Sequence, residues 1–267
     1  MTNILTNPLV LNKRIYLFLF VFLNFISIHS FAQQKHYTVA DAHAHNDYEH
    51  PVPFHTAFNA GFGSIEADVF PVNGVLLVAH SKTALQFKNT LRDLYLDPLL
   101  QELKHNKDRK VSLLIDVKEN YKLSLQLLTK ELEPLKNYLF SYHDKSKPVT
   151  ILISGERPPP SEYKNYPDYI YFDDDLRLHH SAQEWKRVGL VSLSFERYSS
   201  WKGEGVLPEK DKDVLGNVID SVHQSGKKIR FWAAPDNENS WTTQMKLGAD
   251  FIGTDKIKQL SEFLEKK

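Results

Sequence analysis

Eight short runs of apolar and β-branched residues recur along this chain, most of them separated by stretches with helical spacing. The runs are YTVADAH (37–43), GSIEADVF (63–70), KVSLLIDV (110–117), PVTILIS (148–154), DYIYF (168–172), LVSLSF (190–195), KKIRFWA (227–233) and DFIGT (250–254). Most are continuously apolar and not alternating, as parallel strands covered on both faces are. Helical spacing is found over 53–61, 91–106, 123–140, 181–189, 214–226 and 242–249. Gly61, Gly189 and Gly226 are expected to close helices. Eight strands interleaved with helices over about 230 residues predict an α/β fold, a single-domain (β/α)8 TIM barrel. No G-x-G-x-x-G follows the first strand, which removes the commonest open, dinucleotide-binding alternative. The polar run ERPPPSEYKNYP (156–167) reads as a long loop after the fourth strand.

The first 32 residues break this pattern. Lys13 and Arg14 precede the apolar run IYLFLFVFLNFISI, and small residues, Ser30 and Ala32, close the segment. That is the build of a secretory signal peptide, too short in its apolar part to span a bilayer. Residues 1–32 are therefore expected to be a signal peptide, residues 33–267 the barrel domain, and the location periplasmic or secreted. The chain has no cysteine, so neither disulfides nor a lipid anchor on a cysteine is available. Its 33 basic and 33 acidic residues cancel, without the basic excess of a nucleic-acid binder. Membrane contact is expected to be transient at most.

The candidate chemistry lies at the ends of the strands. In a barrel these ends converge on one mouth. His43 and His45 follow the first strand. Glu66 and Asp68 are two apart on the second and face the same side. His80 ends the run VLLVAH after the turn signal Asn73–Gly74, and Asp116 and Lys118 end the third strand. Three carboxylates suit one hard divalent cation, Mg²⁺ or Ca²⁺. Two histidines, His45 and His80, suit proton transfer near neutral pH. With no cysteine and no G-x-S-x-G, the nucleophile is water or a hydroxyl of the substrate. Arg157, after the fourth strand, is a candidate phosphate ligand. His43 is expected either to share the pocket or to orient a neighbour. His179 and His180 read as surface loop, Asp173 to Asp175 as a solvated loop, and Asp255 as a helix cap.

The stretch HNDYEHPVPFHTAFNAGFGSIEADVFPVNGVLLVAH (45–80) resembles the pattern of PLC-like phosphodiesterases, with its E-x-D-V, turn and V-x-H. HNDY and IDVK look closest to the branch named altered inheritance of mitochondria protein six. FWAAPDNENSWTTQMKLGADFIGTD (231–255) is similar to the last two strands of that superfamily. The resemblance implies His45 and His80 as the acid/base pair and Glu66, Asp68 and Asp116 as metal ligands. It implies Lys118 and Trp232 at the substrate. Asn46 stands where glycerophosphodiesterases carry an arginine, and their E-N-T is replaced by PVPFHTAF, which points away from glycerophosphodiesters. With Asn46 and Arg157 added, the expected substrate-binding set is Lys118, Trp232, Asn46 and Arg157. The expected function is metal-dependent hydrolysis of a lipid or lipid-headgroup phosphodiester. The alternative is a metallohydrolase of the amidohydrolase or polymerase-and-histidinol-phosphatase type, built on His43-x-His45 with Asp255.

Overall fold

The structure, a computed structural model, describes residues 35–267. The segment expected to be a signal peptide, 1–32, lies outside them. Residues 37–267 form one unit. Its sheet contains β1 (Ala42–Ala44), β2 (Ser64–Val72), β3 (Val75–Val78), β4 (Val111–Val117), β5 (Val149–Gly155), β6 (Ile170–Asp174), β7 (Val188–Ser194), β8 (Ile229–Trp232) and β9 (Ile252–Thr254). Eight of these follow one another side by side in the order β8-β7-β6-β5-β4-β2-β1-β9, every neighbouring pair parallel. A parallel bridge between Arg230 and Phe251 joins β8 to β9 and brings the ends of the sheet together. This is the predicted barrel. The ninth strand, β3, is the VLLVAH run. It folds back antiparallel on β2 through Asn73 and Gly74, both at positive φ (48° and 83°), as a tight hairpin turn requires.

The helices are α1 (His55–Ala60), α2 (Asp97–His105), α3 (Tyr121–Glu131), α4 (Ala182–Trp185), α5 (Glu209–Gln224), α6 (Glu238–Leu247) and α7 (Ile257–Glu265). Two predicted helices are interrupted beside prolines. The 91–106 segment starts as a π-helical stretch, Arg92–Leu96, before Pro98 in the first turn of α2. The 123–140 segment ends α3 at Glu131 and continues as a 3₁₀ helix from Glu133, with Pro134 in its first turn. In both, a missing N–H and a fixed φ break the regular ladder.

Three expectations about local structure need correction. The first strand is shorter than 37–43, because Thr38 N–H donates to Asp41 Oδ2 (2.9 Å) and holds a 3₁₀ turn over Val39–Asp41. Gly189 does not close a helix. It lies inside β7, where a Cβ would come within 2.5 Å of Leu152 Cδ2 and 2.9 Å of Tyr171 Cβ. Asp173 and Asp174 are not in a solvated loop but are buried within β6.

The core has two parts. The larger fills the space between the sheet and the helices. The smaller, Leu114, Leu152, Tyr171, Leu190 and Phe251, lies within the barrel toward the starts of its strands. No helix of the described residues is long and apolar enough to cross a membrane.

Gly63 marks how closely the chain before β1 approaches β2. A Cβ there would stand 2.0 Å from the Ala40 carbonyl oxygen, backbone that no side-chain rotation can clear. Gly63→Ala is expected to lose about 1–3 kcal/mol, the usual cost of overpacking. Calorimetry should show a melting temperature several degrees lower; an unchanged one would mean that the backbone yields there.

Candidate active site

A cavity of about 760 Å³ opens at the C-terminal ends of the strands. His45, Asn46, Glu66, His80, Asp116, Lys118, Arg157 and Trp232 all line it. Of the predicted site residues only Asp68 does not, because it lies just beneath the surface at 1% exposure.

Register explains the acidic cluster. β2 and β4 pair so that Asp68 stands beside Asp116, with Glu66 two residues earlier on the same face of β2. Glu66, Asp68 and Asp116 each offer one oxygen within 4.8 Å of the others, and among the described residues they are the one such group of three or more. Gly155, at φ +70°, makes room for Asp116; a Cβ there would meet Asp116 Oδ1 at 2.3 Å. Asp68 Oδ2 accepts from Tyr48 Oη (2.7 Å) and Lys118 Nζ (2.7 Å). Asp68 Oδ1 is buried without a partner. Burial raises the Asp68 carboxyl to about 6 and raises Asp116 as well, although Lys118 opposes both shifts. An orphaned carboxylate oxygen inside an all-oxygen donor set fits a hard cation such as Mg²⁺ or Ca²⁺.

The two histidines line the same cavity as this cluster. His45 Nδ1 donates to Asp255 Oδ1 (2.7 Å), which turns Nε2 away from that carboxylate. Burial works to lower the His45 pKa, but the bond to Asp255 and the charge on Glu66 outweigh it, so the imidazole titrates above its usual value. Asp255 is therefore a partner of His45 and not a helix cap; α7 has Lys256 at its cap, without a side-chain bond. His80 is exposed, with Nδ1 3.2 Å from Tyr48 Oη and 3.5 Å from Asp68 Oδ2. Tyr48 Oη also lies 2.8 Å from Asn46 Oδ1, so one phenol links Asn46, Asp68 and His80. Asn46 has φ 47°, a left-handed conformation that asparagine tolerates. The loop behind it is anchored by the buried Asp47, whose Oδ2 accepts from Phe54 N (2.5 Å) and Tyr95 Oη (3.0 Å).

His43 takes the orienting role. It is fully buried, with Nδ1 2.8 Å from Ser64 Oγ and Nε2 2.8 Å from both Glu66 Oε2 and Arg230 Nη1. Burial, and then Arg230, lower its pKa to about 4, so at neutral pH the ring is uncharged. Arg230 also stands 3.4 Å from Glu66 Oε2 and donates through Nε to Ser192 Oγ (2.8 Å). Burial alone would raise Glu66, but Arg230 and His43 bring its carboxyl down to about 2. A guanidinium against the His43 ring leaves no place for a metal ion on it, which disfavours the His43-x-His45 alternative. His179 and His180, which follow β6, do not help that alternative. His179 is exposed, and His180 is not surface loop either: its ring is buried beside Trp185 and lies 3.1 Å from Asp174 Oδ2.

Arg230, Tyr48 and the role of Asp255 escaped the sequence reading. The one signal for Arg230 was a cation inside an otherwise apolar strand run. Arg157 is at the mouth as expected, 3.4 Å from Asp175, and Trp232 is 48% exposed there and not core.

Residues 33–112 match the family profile described as an AIM6-like phosphodiesterase domain. The chain is similar to altered inheritance of mitochondria protein 6 of Eremothecium gossypii, 28% identical across 83% of this chain and 68% of that one. It is 33% identical to the homolog from Arthroderma benhamiae, across 80% of this chain and 81% of that one. A glycerophosphodiester phosphodiesterase from Parabacteroides distasonis superposes with a TM-score of 0.51 at 14% identity, covering 80% of this chain and 88% of the other, a likeness of fold.

Removing Arg230 leaves Glu66 buried without its guanidinium counter-charge. Arg230→Met is expected to cost about 3–5 kcal/mol, the range for breaking a buried ion pair. Urea unfolding at pH 7 measures it; a loss under about 1 kcal/mol would mean that the pair is far better solvated than its burial implies.

Proposed function

The chain belongs to the altered inheritance of mitochondria protein 6 family, a branch of the PLC-like phosphodiesterase superfamily, and from that membership we propose a divalent-cation-dependent phosphoric diester hydrolase acting on a lipid or lipid-headgroup phosphodiester. The observation that carries the reading is that the cluster of Glu66, Asp68 and Asp116 and both His45 and His80 meet at one cavity, Asp68 just beneath its surface. The domain match over residues 33–112 supports the same reaction class.

Glu66, Asp68 and Asp116 would hold the cation, which when bound would neutralise the phosphate and stabilise charge developing on its oxygens. Lys118, bonded to Asp68 and 3.4 Å from Asp116, brings a positive charge to the same place. Arg157 stands further round the mouth and replaces in kind the arginine absent at position 46. His45, with its Nδ1 proton committed to Asp255, presents Nε2 as the base that takes the proton of the attacking oxygen. His80 serves as the acid that protonates the leaving oxygen. Trp232 offers an aromatic face to the departing group or the headgroup. Export to the periplasm or medium is part of the same proposal and rests on the pattern of residues 13–32.

The test is ³¹P NMR of the purified protein with a panel of lipid-headgroup diesters and bis-p-nitrophenyl phosphate, in Mg²⁺ or Ca²⁺. Turnover should appear with cation and vanish with EDTA. Turnover that persists in EDTA overturns the cation requirement, and none on any diester overturns the reaction class. The signals also distinguish cyclic from hydrolysed product.

His45→Ala and His80→Ala should each cut turnover by a factor of about 10² or more with folding intact. Asp255→Asn has a more specific signature. The Asp255 charge favours the protonated imidazole, so its loss lowers the His45 pKa. The acidic limb of the kcat/KM profile should then move to lower pH while kcat falls. A limb that stays put would remove His45 as the base.

A further inference from the structure

The strands have a second open end. A cavity of about 510 Å³ lies there, with Ser112 and Thr150 on its wall, near the starts of β4 and β5. Asp116 and Ser154, near the ends of those same strands, line the other cavity. Four residues of strand span roughly 13 Å, so the two cavities face opposite ends of the barrel.

Its floor is the smaller core cluster: Leu152, Tyr171, Leu190 and Phe251, with Phe140 packed against them. Gly189 adds no side chain beside Leu152 and Tyr171, where a Cβ would collide with both. The rim is cationic. Lys145 and Lys186 stand 5.2 and 5.8 Å from the centre of the Tyr142 ring, Lys227 is 5.4 Å from that of Trp185, and Lys228 is 5.1 Å from that of Phe251. Lys227 Nζ also donates to the Val188 carbonyl (2.6 Å) and Lys186 Nζ to Gln183 Oε1 (3.4 Å). None of the four pairs with a carboxylate of the described residues. Acids close to these lysines or to Phe251 in the chain are engaged elsewhere: Asp144 with Ser146 and Lys147, Glu184 with the Ser181 amide, Asp250 with His223 and the Ile229 amide.

Four ammonium groups without counter-charge, ranged around an apolar floor, ask for a ligand with both characters. A bare polyanion leaves the floor unmatched, and an uncharged apolar partner leaves the lysines unmatched. The volume falls within the range of small-molecule sites, about 300–1,000 Å³. We propose that this end of the barrel is a second ligand site, for an anionic amphiphile: one alkyl or acyl chain along Leu152, Tyr171, Leu190 and Phe251, and a carboxylate or phosphate head among Lys145, Lys186, Lys227 and Lys228. The site is separate from the catalytic reading and stands or falls without it.

Isothermal titration of the purified protein tests it, with dodecanoate and dodecyl phosphate below their micelle-forming concentrations. Acetate, inorganic phosphate and dodecanol are the controls. Both dodecyl anions should saturate one site, the tighter of the two identifying the head, with each control at least about tenfold weaker, a difference of about 1.4 kcal/mol. The exposed pair K186E/K228E should weaken both anions about tenfold or more at an unchanged melting temperature and diesterase rate. If that variant melts lower, K145E asks the same question at another exposed position. Absence of saturable binding, dodecanol binding as well as the anions, or unchanged affinity in the stably folded variant would each overturn the proposal.

Discussion

A carboxylate fixed in the interior of a barrel has to find its counter-charge within reach, and for Glu66 that charge comes from another strand. Glu66 projects from β2, Arg230 reaches it from β8, and the His43 ring of β1 is wedged between them. Three strands far apart in sequence are thereby tied at one point. The tie fixes which oxygen of Glu66 is taken up by the protein and which way its carboxylate faces. Asp68 and Asp116 then follow from strand register, with Lys118 bonded to one and close to the other. The face that carries the acidic cluster is in this sense an outgrowth of a charge-pairing problem solved below it.

Above that layer the mouth divides its work. Strands β1, β2 and β4 and the hairpin of β3 carry the acids and the two histidines. The later strands contribute Arg157 and Trp232 at the rim. Tyr48 links the halves of the first group through a single phenol. Its loop is held in turn by the buried Asp47, so the position of His80 is coupled to packing around Phe54 and Tyr95.

What the sequence disclosed follows from how local each feature is. Glu66 with Asp68, and Asp116 with Lys118, are i, i+2 pairs on apolar runs, so their shared face could be read without coordinates. The ends of the strands were legible because apolar runs stop where the mouth begins. Features that depend on distant partners were not legible. Arg230 reads as an odd cation in a strand until β2 is seen opposite it. Asp255 precedes a helix and looks like a cap until His45, 210 positions away, is found on it. Asp173 and Asp174 look solvated because charge in a row usually is, whereas here β6 buries one on each face, Asp173 beside Ser154 and Asp174 beside His180. Even the short first strand has a local cause, the Thr38–Asp41 bond, that β propensity does not register.

The ring of strands is not equally strong all the way round. Between β8 and β9 it closes through one bridge, at Arg230 and Phe251, and β1 and β9 are only three residues long. Such a seam is where local opening costs least. Arg230 sits on it, so the side chain that neutralises Glu66 also belongs to the clasp. Anything that strengthens the hold on the acidic cluster therefore also discourages the barrel from unzipping there. If the proposed cation binds there, its occupancy and the integrity of the fold would share one free energy, and the unoccupied chain would be the one most readily opened and degraded.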